Sequence, residues 1–248
     1  MKIAVLGTKG MLAHVMIDVL SETHDVTGIS LRDKAFEELE LDNYEVIINC
    51  VGILVEESEA NKSRAVLFNS LLPHMLEQKF KDTPTKVIHI STDCVQDDTF
   101  YGRSKALGEI DNNKDLTIRT SIIGPTLKKN GNGLFNWFMN QKDEVQGYTE
   151  AYWGGVTTLQ LAKIVNQILD KEMYGIAVVA TEEPTSKYDL LRMINVVFGK
   201  KIKINPVADG VTKVLVPNIT VDLPHLEQIA ELKEYIDARP KKYSHYLR

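Results

Sequence analysis

The chain has 248 residues, of which 44% are hydrophobic and 25% charged, and it carries a net charge of −5 at neutral pH. That balance is that of a folded protein with an ordinary core, and it excludes a disordered or low-complexity chain. The acidic excess argues against a broad nucleic-acid or membrane-binding face, so any anionic ligand must be held locally.

Residues 2–6 form a short apolar strand that runs into Gly7-Thr8-Lys9-Gly10-Met11-Leu12-Ala13. From Met11 to Leu20 the apolar residues recur at helical spacing. A strand, a glycine turn and a helix in this order suit a dinucleotide. The first glycine permits the tight turn, the second lets the backbone approach a pyrophosphate, and the small Ala13 lets the helix pack on the strand. Free N–H groups at the helix start then face the phosphates. Gly7, Lys9, Gly10, Met11 and Leu12 are therefore candidate cofactor residues, with a ligand-free tight turn as the bland alternative.

The second strand, residues 25–30, ends in Ser30 where such folds usually carry an acidic residue for the ribose hydroxyls. Arg32 follows two residues on. A missing carboxylate and a nearby guanidinium suit a 2′-phosphate, which favours NADP(H); the neighbouring Asp33 keeps NAD(H) open. Residues 46–52 read as another buried strand, ending in Cys50, Val51 and Gly52, where the backbone can pass close to a cofactor. A helix is expected over residues 59–79, bent at Pro73.

Residues 86–90 form a third apolar run, followed by Ser91-Thr92-Asp93 and then Tyr101-Gly102-Arg103-Ser104-Lys105. Asp97, Asp98 and Thr99 offer N-cap chemistry for a helix starting near Phe100. On that helix Tyr101 and Lys105, four apart, share a face. An ammonium beside a phenol stabilises the phenolate and lowers a pKa that is about 10 when unperturbed. A hydroxyl from Thr92 at the strand end can bond the same substrate oxygen, so the three together would polarise and protonate a carbonyl. Tyr-x-x-x-Lys also occurs by chance, and its weight comes from the glycine turn upstream.

Residues 116–125 read as a strand and a glycine-proline stop at the carboxyl edge of the sheet, where ligands of open α/β sheets sit. Beyond them come a loop at 130–133, an aromatic helix at 134–139 and a loosely alternating stretch at 143–153. Trp137 and Trp153 read as core rather than pocket residues, and Lys128 and Lys129 as surface lysines. Helices over 159–169, 187–198 and 226–236 and strands at 176–179 and 201–204 complete the pattern, and the basic, aromatic tail from residue 239 reads as a solvated end. The expected fold is α/β: a Rossmann-type doubly wound parallel sheet formed by 1–125 with 156–180 returning to it, and a small C-terminal substrate lobe from 126–155 and 181–248.

Cys50 and Cys94 flank apolar runs without metal-ligand spacing, which points to reduced structural thiols and a cytoplasmic setting. The apolar start is too short for a signal peptide or a membrane span. Neither His-Glu-x-x-His nor Gly-x-Ser-x-Gly is present, so hydrolase readings lack support, and nothing calls for a metal.

Taken in order, Gly7-x-x-Gly10-x-x-Ala13, Ser91-Thr92-Asp93, Tyr101-x-x-x-Lys105, the 119–125 stretch and Gly155-Val156-Thr157-Thr158 resemble the motifs of extended short-chain dehydrogenases. The chain is similar to the dTDP-4-dehydrorhamnose reductase branch through most of residues 1–180 and more thinly beyond. The resemblance implies that Tyr101 is the general acid, that Lys105 lowers its pKa and binds the nicotinamide ribose, and that Thr92 orients the carbonyl. Asn69 falls where a helper asparagine is placed on the preceding helix. The implied reaction is NADPH-dependent reduction of the 4-keto group of a nucleotide-linked 6-deoxysugar, serving cell-surface polysaccharide precursors, with a homodimer left open.

Two connections are shorter than the family's, one before Val46 and one between Thr92 and Tyr101. The first omits a strand with an acidic residue and bears on adenine contacts by Asp42. A sugar-nucleotide epimerase or dehydratase on the same fold is the nearest rival, although Asp93 is followed by Cys94 rather than the glutamate a dehydratase would use. A non-catalytic NADP(H)-binding regulatory subunit is the rival from another class.

Overall fold

The computed structural model describes residues 1–31 and 36–246. The chain divides into two units, Met1–Thr120 with Ala162–Val178, and Ser121–Leu161 with Val179–Arg248. In chain order the elements begin β1 (Lys2–Leu6), α1 (Ala13–Leu20), β2 (Asp25–Ile29), β3 (Val46–Asn49), α2 (Val55–Ala60), α3 (Lys62–Ala65), α4 (Leu72–Phe80), β4 (Lys86–Ile90), α5 (Phe100–Ala106) and β5 (Leu116–Arg119). Then follow β6 (Ile122–Ile123), α6 (Leu134–Met139), β7 (Glu144–Tyr148), β8 (Tyr152–Trp153), β9 (Val156–Thr157), α7 (Thr158–Ile168), β10 (Gly175–Thr181), β11 (Thr185–Ser186), α8 (Lys187–Val197), β12 (Lys203–Val207), β13 (Ile219–Val221) and α9 (His225–Asp237).

Seven strands form one parallel sheet in the order β13-β10-β5-β4-β3-β1-β2. Strands covered on both faces are continuous apolar runs, which is why residues 3–6, 46–49 and 87–90 are buried without alternation. β1 pairs with β3 from Ile3 opposite Val46 and with β2 from Lys2 opposite Asp25. Ala4, Leu6, Ile47, Leu76, Phe80 and Val87 meet in one core cluster of the first unit. Among the described residues between β2 and β3 the only helical turn is a 3₁₀ turn at Phe36–Glu38, and no strand lies outside β2. The short connection thus leaves β2 as a largely exposed sheet edge.

The helix expected over 59–79 is broken differently. α2 ends at Ala60, and the non-helical backbone of Asn61 separates it from a new helix, with Asn61 Oδ1 accepting the Arg64 N–H at 3.1 Å. The bend ascribed to Pro73 is a π-helical stretch at Val66–Leu71, with the Leu72 N–H reaching back to the Leu67 carbonyl. Pro73 itself sits in the first turn of α4. It has no N–H for the Asn69 carbonyl four residues back, and widening the helix just before it removes that mismatch.

In the second unit β7 pairs with β12 in parallel, β8 with β11 in antiparallel fashion, and β6 with β9 in parallel. Lys128 and Lys129 are exposed. Trp153 is buried and donates its indole N–H to Ser121 Oγ at 2.9 Å, whereas Trp137 is 44% exposed and departs from the core reading. The tail corrects its sequence reading as a solvated end. Tyr243 is fully buried, its ring 5.8 Å from Tyr235, and Tyr246 donates to Asn136 Oδ1 at 2.6 Å while accepting the Thr126 N–H at 3.0 Å. Aromatic rings spaced three apart bury more apolar area than the flanking lysines cost, and their hydroxyls find partners, so the segment docks.

Candidate active site

The carboxyl ends of β1, β2 and β3 open into a cleft of about 740 Å³ in the first unit. Gly7 shapes its floor with φ +90°, a left-handed conformation that glycine adopts without strain, and an added Cβ would stand 3.2 Å from Val51 Cγ2. The Gly10 N–H closes the turn onto the Gly7 carbonyl at 2.7 Å. Just beyond, the amides of Met11 and Leu12 have no partner among the described residues and stand at the start of α1. Gly52 keeps the cleft wide, since a Cβ there would touch only Asn69 Oδ1, at 3.7 Å. A dinucleotide fits these features: an extended cavity, unfilled amides at a helix start and glycines where side chains would intrude.

Of the candidate cofactor residues, Gly7, Lys9, Gly10, Ser30, Cys50, Val51 and Gly52 line this cleft. Met11, Leu12, Tyr101 and Lys105, also candidate cofactor residues, do not form its wall, and Leu12 is buried. Arg32 and Asp33, on which the 2′-phosphate argument leaned, lie outside the described residues. Sequence reasoning passed over Thr8, Leu31, Glu57, Arg64 and Phe68, which also line it. The last three come from the helices after β3, where a single long helix was expected to face the core.

α5 carries the Tyr101 and Lys105 pair. Thr99 caps it, accepting the Gly102 N–H at 3.0 Å, so the helix begins where the cap chemistry places it. Gly102 lets the helix press on the preceding 3₁₀ turn at Asp93–Gln96. A Cβ there would lie 2.2 Å from the Cys94 carbonyl oxygen and 2.8 Å from that of Asp97. That close approach is how the short link between Thr92 and Tyr101 is accommodated. Thr92 caps the same turn, accepting the Cys94 N–H at 3.3 Å while donating to Asp93 Oδ1 at 3.0 Å. Ser91 is committed elsewhere, to Glu109, which also takes a bidentate pair from Arg119.

Lys105 is 3% exposed, and its Nζ donates to the Ile90 carbonyl at 2.7 Å. Burial lowers its pKa to about 8, against the pull of Glu109 and Cys50, which favour the charged form. Cys50 couples the lysine to the cleft: burial pushes its thiol up to about 12, opposed by Lys105. A chain of hydrogen bonds ends on the same amine. The Val51 N–H donates to Asn49 Oδ1 at 3.1 Å, which aims Asn49 Nδ2 at His89 Nδ1, 3.2 Å away. His89 Nδ1 must then accept, so the ring proton is on Nε2, 3.3 Å from Lys105 Nζ. That Nε2–H can donate to Lys105 only where the amine is neutral, above about pH 8; below it the ammonium keeps its bond to the Ile90 carbonyl. His89 itself is held well below its usual pKa, by burial first and by Lys105 second, and stays neutral.

Asn69 does not present a free amide. Its Oδ1 accepts the Ile53 N–H at 2.7 Å, and its Nδ2 donates to the Ile53 carbonyl and to Ser104 Oγ, both at 3.0 Å. With that valence filled, Asn69 ties the loop after β3 to α5 and acts as a positioning residue. No group of three or more His, Cys, Asp or Glu side chains able to hold a metal occurs among the described residues.

No family model matches this chain, and neither does any curated protein. Solved structures do. A dTDP-4-dehydrorhamnose reductase from Clostridium acetobutylicum aligns over 96% of this chain and 100% of its own with a TM-score of 0.79 and 20% identity. The Bacillus anthracis dTDP-4-dehydrorhamnose reductase in complex with NADP aligns over 94% and 99% with a TM-score of 0.77 and 18% identity. UDP-glucose 4-epimerase from Thermotoga maritima, with UDP-glucose, aligns over 96% and 99% with a TM-score of 0.74 and 15% identity. The chain shares their fold. At these identities the similarity speaks for the parallel-sheet architecture, and the chemistry has to be argued from the residues.

Proposed function

We propose that this chain is an NADPH-dependent oxidoreductase that reduces the 4-keto group of a nucleotide-linked 6-deoxysugar, with Tyr101, Lys105 and Thr92 as its catalytic residues. The observation that carries the reading is the buried Lys105, fixed by the Ile90 carbonyl one helical turn from Tyr101 and coupled to a wall of the dinucleotide-sized cleft. NADPH, when bound, supplies the hydride. Tyr101 gives the carbonyl oxygen its proton, and the Lys105 ammonium makes that transfer easier by stabilising the phenolate left behind. Thr92 swings its hydroxyl from Asp93 to the same oxygen and holds the carbonyl in line as charge develops on it. The second unit is read as the substrate-binding lobe. No helix among the described residues is long and apolar enough to cross a membrane, and we assign the protein to the cytoplasm and to polysaccharide-precursor synthesis on its proposed substrate.

The test is NADPH oxidation by the purified protein with a dTDP-linked 4-keto-6-deoxyhexose, with NADH alongside. Steady consumption of NADPH supports the reductase. Interconversion of a nucleotide sugar without net consumption would instead make it an epimerase, as one of the structural neighbours is. Tight dinucleotide binding without turnover on any sugar nucleotide would make it a binding subunit.

The pH profile follows from Lys105. A buried lysine with a pKa near 8 is charged below that pH and neutral above it. kcat/KM for reduction should therefore fall on the alkaline side with an inflection near pH 8, as the phenol loses its cationic neighbour. Stability should move the other way: between about pH 8 and 10.5 the unfolded lysine holds a proton that the folded one does not, so melting temperature rises with pH across that window. A profile flat to pH 10 would contradict the role given to Lys105.

A further inference from the structure

We propose that Arg64 is a phosphate-binding residue of the cofactor cleft, parked on Glu57 until a dinucleotide takes the carboxylate's place. The inference rests on reading the cleft as a dinucleotide site. Among the described lining residues the charged side chains are Lys9 on the glycine turn, Arg64 on α3 and Glu57 on α2. Arg64 Nη1 lies 2.7 Å from Glu57 Oε1, and both side chains are about half exposed. The guanidinium also stands over the ring of Phe68, 5.7 Å from its centre, and that ring lines the same cleft.

The backbone of Arg64 is anchored, since its N–H is held by Asn61, so only the side chain needs to move. A half-exposed carboxylate pair holds a guanidinium weakly. A phosphate offers the same planar donor fork two oxygens and more charge, and Arg is the side chain whose geometry matches it. A dinucleotide brings at least two negative charges into a cleft whose described lining holds two cations and one carboxylate. Glu57 would repel that load while Arg64 remained paired with it. Exchanging partners removes the repulsion and gives the phosphate a second side-chain cation besides Lys9.

Titration of the whole protein with NADPH and with NADH, followed by nicotinamide fluorescence at low and moderate salt, tests this. R64M should weaken binding by about 10- to 100-fold, as loss of a charged hydrogen bond does. R64K should fall between, and the R64M titration should lose part of its salt dependence. E57Q should bind roughly 2- to 5-fold tighter, because it frees Arg64 and removes a carboxylate from the cleft. Equal weakening for both dinucleotides in R64M assigns the contact to the pyrophosphate; weakening for NADPH alone assigns it to the 2′-phosphate. Wild-type affinity retained in R64M would overturn the role of Arg64 and leave the dinucleotide site standing. No binding of either dinucleotide by the wild-type protein would overturn the dinucleotide reading of the cleft, and the role of Arg64 with it.

Discussion

Replacing Tyr101 by phenylalanine should reduce kcat by about 10²- to 10⁴-fold, the range that a positioned general acid supplies, while NADPH binds as before. The separation of effects follows from the structure. Tyr101 does not line the glycine-turn cleft and is 9% exposed, and phenylalanine keeps the ring that packs there. Lys105→Met should lose rate comparably and also change stability, because it removes both the charge beside the phenol and the bond to the Ile90 carbonyl. Melting curves and dinucleotide titrations run beside the kinetics distinguish the two. Turnover that survives in Tyr101→Phe would remove the phenol from the mechanism and require another acid.

The sheet was legible because strands covered on both faces are mostly apolar runs, as those ending at Leu6, Asn49 and Ile90 are, with Asn49 and His89 as buried polar exceptions. The α5 cap was legible too, because Thr99 acts on its own neighbours. What escaped depended on non-local contacts. The break at Asn61 and the π-helical stretch before Pro73 preserve the apolar spacing of one long helix, so periodicity alone cannot show them. Glu57, Arg64 and Phe68, from the segments on either side of that break, line the cleft, where composition gave no sign of them. Asn69 has the expected position on that helix, yet its amide is spent on Ile53 and Ser104, a fact visible only once three segments meet. The tail was misread because its lysines suggested solvent, while Tyr243 and Tyr246 decide its position through buried rings and hydroxyl bonds.

Two glycines near the site should respond to alanine in opposite ways. In an ordinary helix Gly→Ala stabilises by up to about 1 kcal/mol. At Gly102 the new methyl would meet the Cys94 and Asp97 carbonyl oxygens at 2.2 and 2.8 Å, and these are backbone atoms that cannot swing aside. Overpacking of that kind costs about 1–3 kcal/mol and exceeds the propensity gain. Gly102→Ala should therefore lower the melting temperature by several degrees and, by lifting α5 off the turn that Thr92 caps, lower kcat sharply. At Gly52 the methyl has room, with its nearest neighbour 3.7 Å away, and the backbone is not left-handed. Gly52→Ala should leave the melting temperature unchanged or slightly raised, because the unfolded chain loses freedom, yet weaken dinucleotide binding by narrowing the cleft. Thermal melts and NADPH titrations of both variants read the two effects separately. An unchanged melting temperature in Gly102→Ala would mean that the helix and the turn are not in the contact that places Tyr101; unchanged NADPH affinity in Gly52→Ala would mean that the dinucleotide does not pass Gly52.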